Sequence, residues 1–76
     1  MNIKIYTAPH CPHCKKTRKF LELRNVPFSE INVMEDRAGY VEMVEKTHQS
    51  GVPVVELEGS ILVGHDAKVL AKMLNL

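Results

Sequence analysis

The period of the hydrophobic pattern changes repeatedly along the chain. Ile3 and Ile5 alternate with Lys4 and Tyr6, which predicts a short strand over residues 2–6, and Thr7-Ala8-Pro9 breaks the alternation. From Pro12 the spacing becomes helical. Cys14, Thr17, Leu21 and Arg24 fall on one side with Phe20, while Lys15, Lys16, Arg18, Lys19 and Glu22 fill the rest. Pro12 suits a first helical turn, where its missing N–H is not needed, and Asn25 and Pro27 mark the end. Alternation returns over residues 27–33, a second strand with Ile31 and Val33 directed inward. Residues 35–48 are helical again, with Tyr40, Val41, Val44 and His48 on one face and Met43 beside it. Gly39 within that pattern costs roughly 1 kcal/mol relative to Ala, which predicts a ragged helix start. Residues 52–57 read as a third strand, Glu58-Gly59 as a hairpin turn and residues 60–63 as a fourth strand. Asp66 is a good N-cap for a last helix whose buried stripe is Val69, Leu70, Met73 and Leu74. Met34, Met43 and Met73 read as core or half-buried filler.

The element order is βαβαββα. The first two strands, joined through a helix, are expected to be parallel by a right-handed crossover. The last two form an antiparallel hairpin. The result is an α/β fold with a four-stranded mixed sheet and helices on both faces, in a single domain over residues 1–76. Hydrophobic residues, 45% of the chain, are spread along its length, as in a globular rather than a disordered protein. The net charge of +1 argues for neither a nucleic-acid nor a membrane partner. No apolar run approaches the ~20 residues of a membrane helix, and the first residues alternate instead of forming a signal-peptide stretch. A complete chain of this kind is expected to be a cytoplasmic monomer, in a compartment that keeps thiols reduced.

Against that background the two cysteines carry the chemistry. Cys11 and Cys14 stand at the junction of the first strand and first helix. A disulfide between them closes a loop so small that the chain-entropy gain is only about 2 kcal/mol. A structural staple would join more distant segments, so the spacing points to a bond made and broken in use. Cys11 falls at the helix N-terminus, where free N–H groups and the macrodipole favour the thiolate that attacks disulfides. Cys14, one turn on, is within adjustment of a bond to Cys11 and can resolve a mixed disulfide. His13 is read as stabilising the Cys11 thiolate, and His48 and His65 as surface residues. His10, Cys11, His13 and Cys14 are four potential metal ligands in five residues. Crowded at one junction, they do not surround an ion tetrahedrally, and no second C-x-x-C completes a site, so no metal is assigned.

Cys11-Pro12-His13-Cys14 after a short strand, Gly51-Val52-Pro53 opening a later one, and Val63-Gly64-His65-Asp66 before the last helix together resemble the glutaredoxin family. The resemblance covers essentially the whole chain. It implies the minimal thioredoxin fold, a cis peptide before Pro53 facing the cysteines, and dithiol–disulfide exchange with Cys11 as nucleophile and Cys14 as resolving thiol. Pro12, His13 and Pro53 then support the pair. Val52 presents backbone to the substrate, and Gly64, His65 and Asp66 border the groove, where the last helix's N–H groups are available to a carboxylate. No organic cofactor is expected. The expected partners are a disulfide-containing protein substrate and an electron donor, either glutathione or thioredoxin reductase.

Departures from the family pattern refine this. Basic residues usual in glutathione-using members are replaced here by Ala8-Pro9-His10 and Gln49, and a second acid by Ala67. Glutathione is therefore expected to be a poor or moderate reductant. Members that serve ribonucleotide reductase resemble this chain in length but carry a tryptophan motif before the last helix, and this sequence has no tryptophan. The Pro12-His13 pair is similar to that of the strongly oxidising DsbA, which the chain otherwise does not resemble. Alternatives are an iron–sulfur cluster carrier using Cys11 with outside thiols in a dimer, and a dithiol donor to ribonucleotide reductase.

Overall fold

The computed structural model describes residues 2–76. Its elements are β1 (Ile3–Thr7), α1 (Pro12–Leu23), β2 (Ser29–Asn32), α2 (Arg37–Thr47), β3 (Val54–Leu57), β4 (Ser60–Val63) and α3 (Ala67–Met73). The sheet order is β2-β1-β3-β4. β1 pairs parallel with β2 and antiparallel with β3, and β4 pairs antiparallel with β3. This is the minimal thioredoxin-like arrangement expected from the element order.

Alternation on the strands divides the core between the two sheet faces. Ile3, Ile5, Val55 and Leu57 pack with Leu21 of α1 and with Leu70 and Leu74 at α3, joined by Phe20, Phe28, Leu62 and Met73. On the opposite face Tyr6, Val33 and Val54 pack against Met43 of α2, with Ile31, Val44 and Val52 around them. The helices end where their sequence signals lie. Asn25, at φ 56°, lets the Val26 N–H reach the Leu21 carbonyl at 3.0 Å, closing α1 in a left-handed cap. Glu58 and Gly59 both have positive φ, 48° and 89°, as a two-residue hairpin turn between twisted strands requires.

Four expectations are corrected. The buried side of α2 is Gly39 and Met43, whereas Tyr40 and Val41 are largely exposed. Nor does α2 start raggedly: Asp36 caps it by accepting the Gly39 N–H at 2.8 Å. A Cβ at position 39 would stand 2.5 Å from Ile31 Cγ2, so the glycine lets the helix lie against β2. Val69 is outside the buried stripe of α3, which is Leu70 with Leu74, and Met34 is exposed rather than filler. For both helices the misplacement has one cause: a short helix packed on a sheet buries a narrower stripe than its apolar positions suggest. Met34 lies outside them, in the turn between β2 and α2.

Because β3 runs antiparallel to β1, and β4 antiparallel to β3, one end of the sheet collects the end of β1, the start of β3 and the end of β4. The cysteine motif, Val52-Pro53 and Gly64-His65-Asp66 all belong to that end.

Candidate active site

Cys11 is the N-cap of α1, with extended backbone at φ −107° and ψ 104°, and Pro12 opens the first turn. The Cys14 backbone N–H donates to Cys11 Sγ at 3.1 Å. This is ordinary N-cap geometry with sulfur in place of a hydroxyl or carboxylate oxygen. The same N–H and the helix N-terminus favour negative charge on that sulfur. Cys11 and Cys14 are joined as a disulfide, with their Cα atoms 5.2 Å apart. The two are unequal: Cys11 is half-buried and Cys14 fully buried. The sulfur at the surface is therefore the one that an external disulfide or thiol reaches first.

His10 and His13 flank the pair and are exposed, as are Lys15, Lys16 and Lys19. No acidic residue lies in the first turn of α1. His10 adopts φ 60°, a left-handed conformation in which histidine is among the commoner non-glycine residues.

The junction is braced from below. Thr7, at the end of β1, donates its hydroxyl to Glu30 of β2 at 2.6 Å. Arg18 of α1 clamps the same carboxylate through Nε at 3.1 Å and Nη2 at 2.6 Å. Arg18, joined by the Thr7 hydroxyl, holds the Glu30 carboxyl below the usual carboxylate range. One fork-shaped contact thus ties α1 to the sheet immediately below the motif.

Pro53 is fully buried, and the Val52–Pro53 peptide is cis, as the family resemblance implied. Gly64, at φ 89°, donates its N–H to the Pro53 carbonyl at 2.8 Å, which brings the end of β4 beside the start of β3. Gln49 cannot replace a missing basic residue. Its amide donates to Thr47 Oγ1 and to the Gly51 carbonyl, and accepts the Gly51 N–H. Asp66 caps α3 by accepting the N–H groups of Lys68 and Val69 at 3.1 and 3.2 Å. Those two donors, expected to be available to a carboxylate, are already engaged.

His65 is not the plain surface residue expected. It is half-buried, and its Nδ1 lies 2.8 Å from Oγ1 of Thr17, a fully buried residue of α1. Burial, with Lys16 and His13 nearby, pushes the His65 imidazole below its ordinary value, and Asp66 opposes this. Sequence reasoning put Thr17 on the buried side of the helix without asking what would satisfy its hydroxyl. A buried hydroxyl requires a partner, and that was the available signal.

The family model for glutaredoxin matches residues 3–62. The chain is 42% identical over 73 residues to an uncharacterized glutaredoxin-like 8.6 kDa protein in a rubredoxin operon of Clostridium pasteurianum, covering 96% of this chain and 97% of the relative. Among solved structures it is similar to a thioredoxin-like protein, with a TM-score of 0.92 and 29% identity over 96% of this chain and 94% of the other. It is also similar to NrdH-redoxin from Escherichia coli, a glutaredoxin-like protein with a thioredoxin-like activity profile. That match has a TM-score of 0.84 and 26% identity, and covers 95% and 93% of the two chains.

Proposed function

The chain belongs to the glutaredoxin family, and from that premise we propose that it is a dithiol thiol–disulfide oxidoreductase working through Cys11 and Cys14. The observation that carries the reading is the inequality of the pair: an accessible sulfur at a helix N-cap and a buried one a turn behind it. Cys11, as thiolate, attacks a substrate disulfide. A Cys11–substrate bond forms, and the first substrate sulfur leaves as a thiolate. Cys14 then attacks Cys11, the internal disulfide forms and the second substrate sulfur departs. The cysteine pair is oxidised and the substrate disulfide reduced. An external dithiol or thiol reverses this at Cys11.

As electron donor, a thioredoxin reductase fits the chain better than glutathione. Ala8 is half-buried, Gln49 is engaged locally and Asp66 occupies its own helix N-terminus. A glutathione carboxylate therefore has no cation at the two positions where relatives that use it carry one. The similarity to NrdH-redoxin, whose activity profile is thioredoxin-like, supports the same choice. Val52, Pro53 and Gly64 form the wall against which an extended substrate lies, and no cofactor is required.

The test is turnover of a protein disulfide by wild type, Cys11→Ser and Cys14→Ser. Cys11→Ser is inactive. Cys14→Ser accumulates a mixed disulfide visible by mass spectrometry under non-reducing conditions. Separate assays with NADPH plus thioredoxin reductase, and with glutathione, identify the donor. Turnover in Cys11→Ser refutes the proposed order. Visible absorbance in freshly purified protein points instead to a cluster carrier.

A further inference from the structure

In the exchange proposed above, Cys14 must lose its proton before it attacks, yet it is fully buried, and burial opposes the thiolate. A proton acceptor on the buried side is needed. Among the described residues the buried hydroxyls are those of Tyr6, Thr7 and Thr17, and no carboxylate or amine is buried; Tyr6 belongs to the other core and gives its hydroxyl to Glu42. The Thr7 hydroxyl is given to Glu30. Thr17 stands three residues after Cys14 on the same buried stripe of α1, a spacing that sets Cβ atoms about 5–6 Å apart. Its hydrogen-bond partner is His65 Nδ1, at 2.8 Å.

The direction of that bond depends on the histidine tautomer. Thr47 donates its hydroxyl back to the Met43 carbonyl one turn earlier. Thr17 has no such bond among the described residues, so with the ring in its Nε2–H tautomer the Thr17 proton is available to Nδ1. In that tautomer His65 is a neutral imidazole carrying its own proton on Nε2. Burial, and then Lys16 and His13 on α1, resist a second proton on the ring, while Asp66 at the start of α3 favours one. The residue is half-buried, with Nδ1 on Thr17 and part of its surface open to solvent.

We propose that Thr17 and His65 relay the proton of the resolving thiol Cys14, an inference that rests on the dithiol reading. The Cys14 proton passes to Thr17 Oγ1 as the Thr17 proton passes to His65 Nδ1, leaving an imidazolium. The Cys14 sulfur attacks Cys11 of the mixed disulfide, the Cys11–Cys14 bond forms, and the bond from Cys11 to the substrate sulfur breaks. The substrate leaves as a thiolate, and the imidazolium releases its proton to water or to that thiolate. No oxidant or reductant beyond the substrate disulfide takes part. His65 acts through Thr17 and is a positioning residue for the step.

The experiment is stopped-flow reaction of reduced protein with dithionitrobenzoate, which releases one coloured thiolate when Cys11 attacks and a second when Cys14 resolves. In His65→Phe, His65→Asn and Thr17→Val the second release slows about a hundredfold relative to the first, the low end of proton-transfer contributions. The acid limb of its pH profile disappears. His65→Asn changes a half-buried position and retains an acceptor for the Thr17 hydroxyl without a titrating ring, so it isolates proton transfer from folding. An unchanged second release in both His65 variants overturns the relay. A slower release with an unchanged pH profile overturns it too, leaving His65 a structural tie. Absence of both releases in wild type refutes the dithiol reading itself.

Discussion

Replacing Gly39 by Ala separates local helix preference from tertiary packing. By helix propensity alone the substitution stabilises by about 1 kcal/mol, because position 39 lies inside α2. The structure reverses the sign. The new methyl would stand 2.5 Å from Ile31 Cγ2, against a comfortable carbon–carbon separation of about 3.5–4.0 Å. Ile31 is β-branched and held in β2, so its Cγ2 is not the free end of a flexible chain. The methyl also comes within 3.1 and 3.3 Å of the Asp36 carboxyl, the group that caps the helix. Overpacking costs typically 1–3 kcal/mol, and a disturbed cap about 1 kcal/mol more. Set against the propensity gain, the net effect is a loss of about 1–3 kcal/mol, a fall in Tm of about 4–24 °C for a domain of this size. Urea and thermal unfolding of wild type, Gly39→Ala, Ile31→Ala and the double variant measure it. In the double variant the two losses are less than additive by at least about 1 kcal/mol, because Ile31→Ala removes the clashing methyl. A Gly39→Ala protein that melts higher than wild type would falsify the account of α2 packing.

Other expectations concern the site and its braces. His13→Ala moves the alkylation-rate curve of reduced Cys14→Ser protein to higher pH by less than about one pH unit, since His13 is exposed and a cation there acts through high-dielectric water. A displacement above one pH unit, or none, contradicts the division of labour between His13 and the helix N-terminus. Acid weakens the fold through two carboxylates: Glu30 is held low by Arg18 and Thr7, and Tyr6, Lys4 and Lys46 hold Glu42 down at about 2 from an ordinary 4.5. Both are depressed in the folded state, so their stabilisation is present above about pH 4.5 and lost as the pH falls toward 2. Urea midpoints between pH 5 and 2 fall in wild type and fall less in Glu30→Gln, and a flat wild-type series contradicts this. Glutathione at millimolar concentration reduces the oxidised protein more slowly than NADPH with thioredoxin reductase, and the reverse order in an insulin-coupled assay removes the argument from Ala8 and Gln49.

What could be read from the amino-acid order was whatever short-range chemistry decides. Period-two and period-3.6 patterning identified the seven elements in order, because each must turn an apolar side toward the sheet interface. Pro12, Asp66 and Glu58-Gly59 marked their boundaries through backbone preferences that need no distant partner. Cys11 and Cys14 were legible for the same reason: the helix N-terminus that activates one of them is local. Other features depended on contacts between segments far apart in the chain. Gly39 looked like a helix weakness until Ile31 was packed against it. Tyr40 and Val41 looked like core, but α2 presents Gly39 and Met43 to the sheet because close approach there requires the smallest residue. Arg18, Glu30 and Thr7 gave no sign of meeting, since three elements must assemble first. The tie from Thr17 to His65 spans 48 residues, so only the folded chain decides that a buried hydroxyl behind the cysteine pair is satisfied by an imidazole.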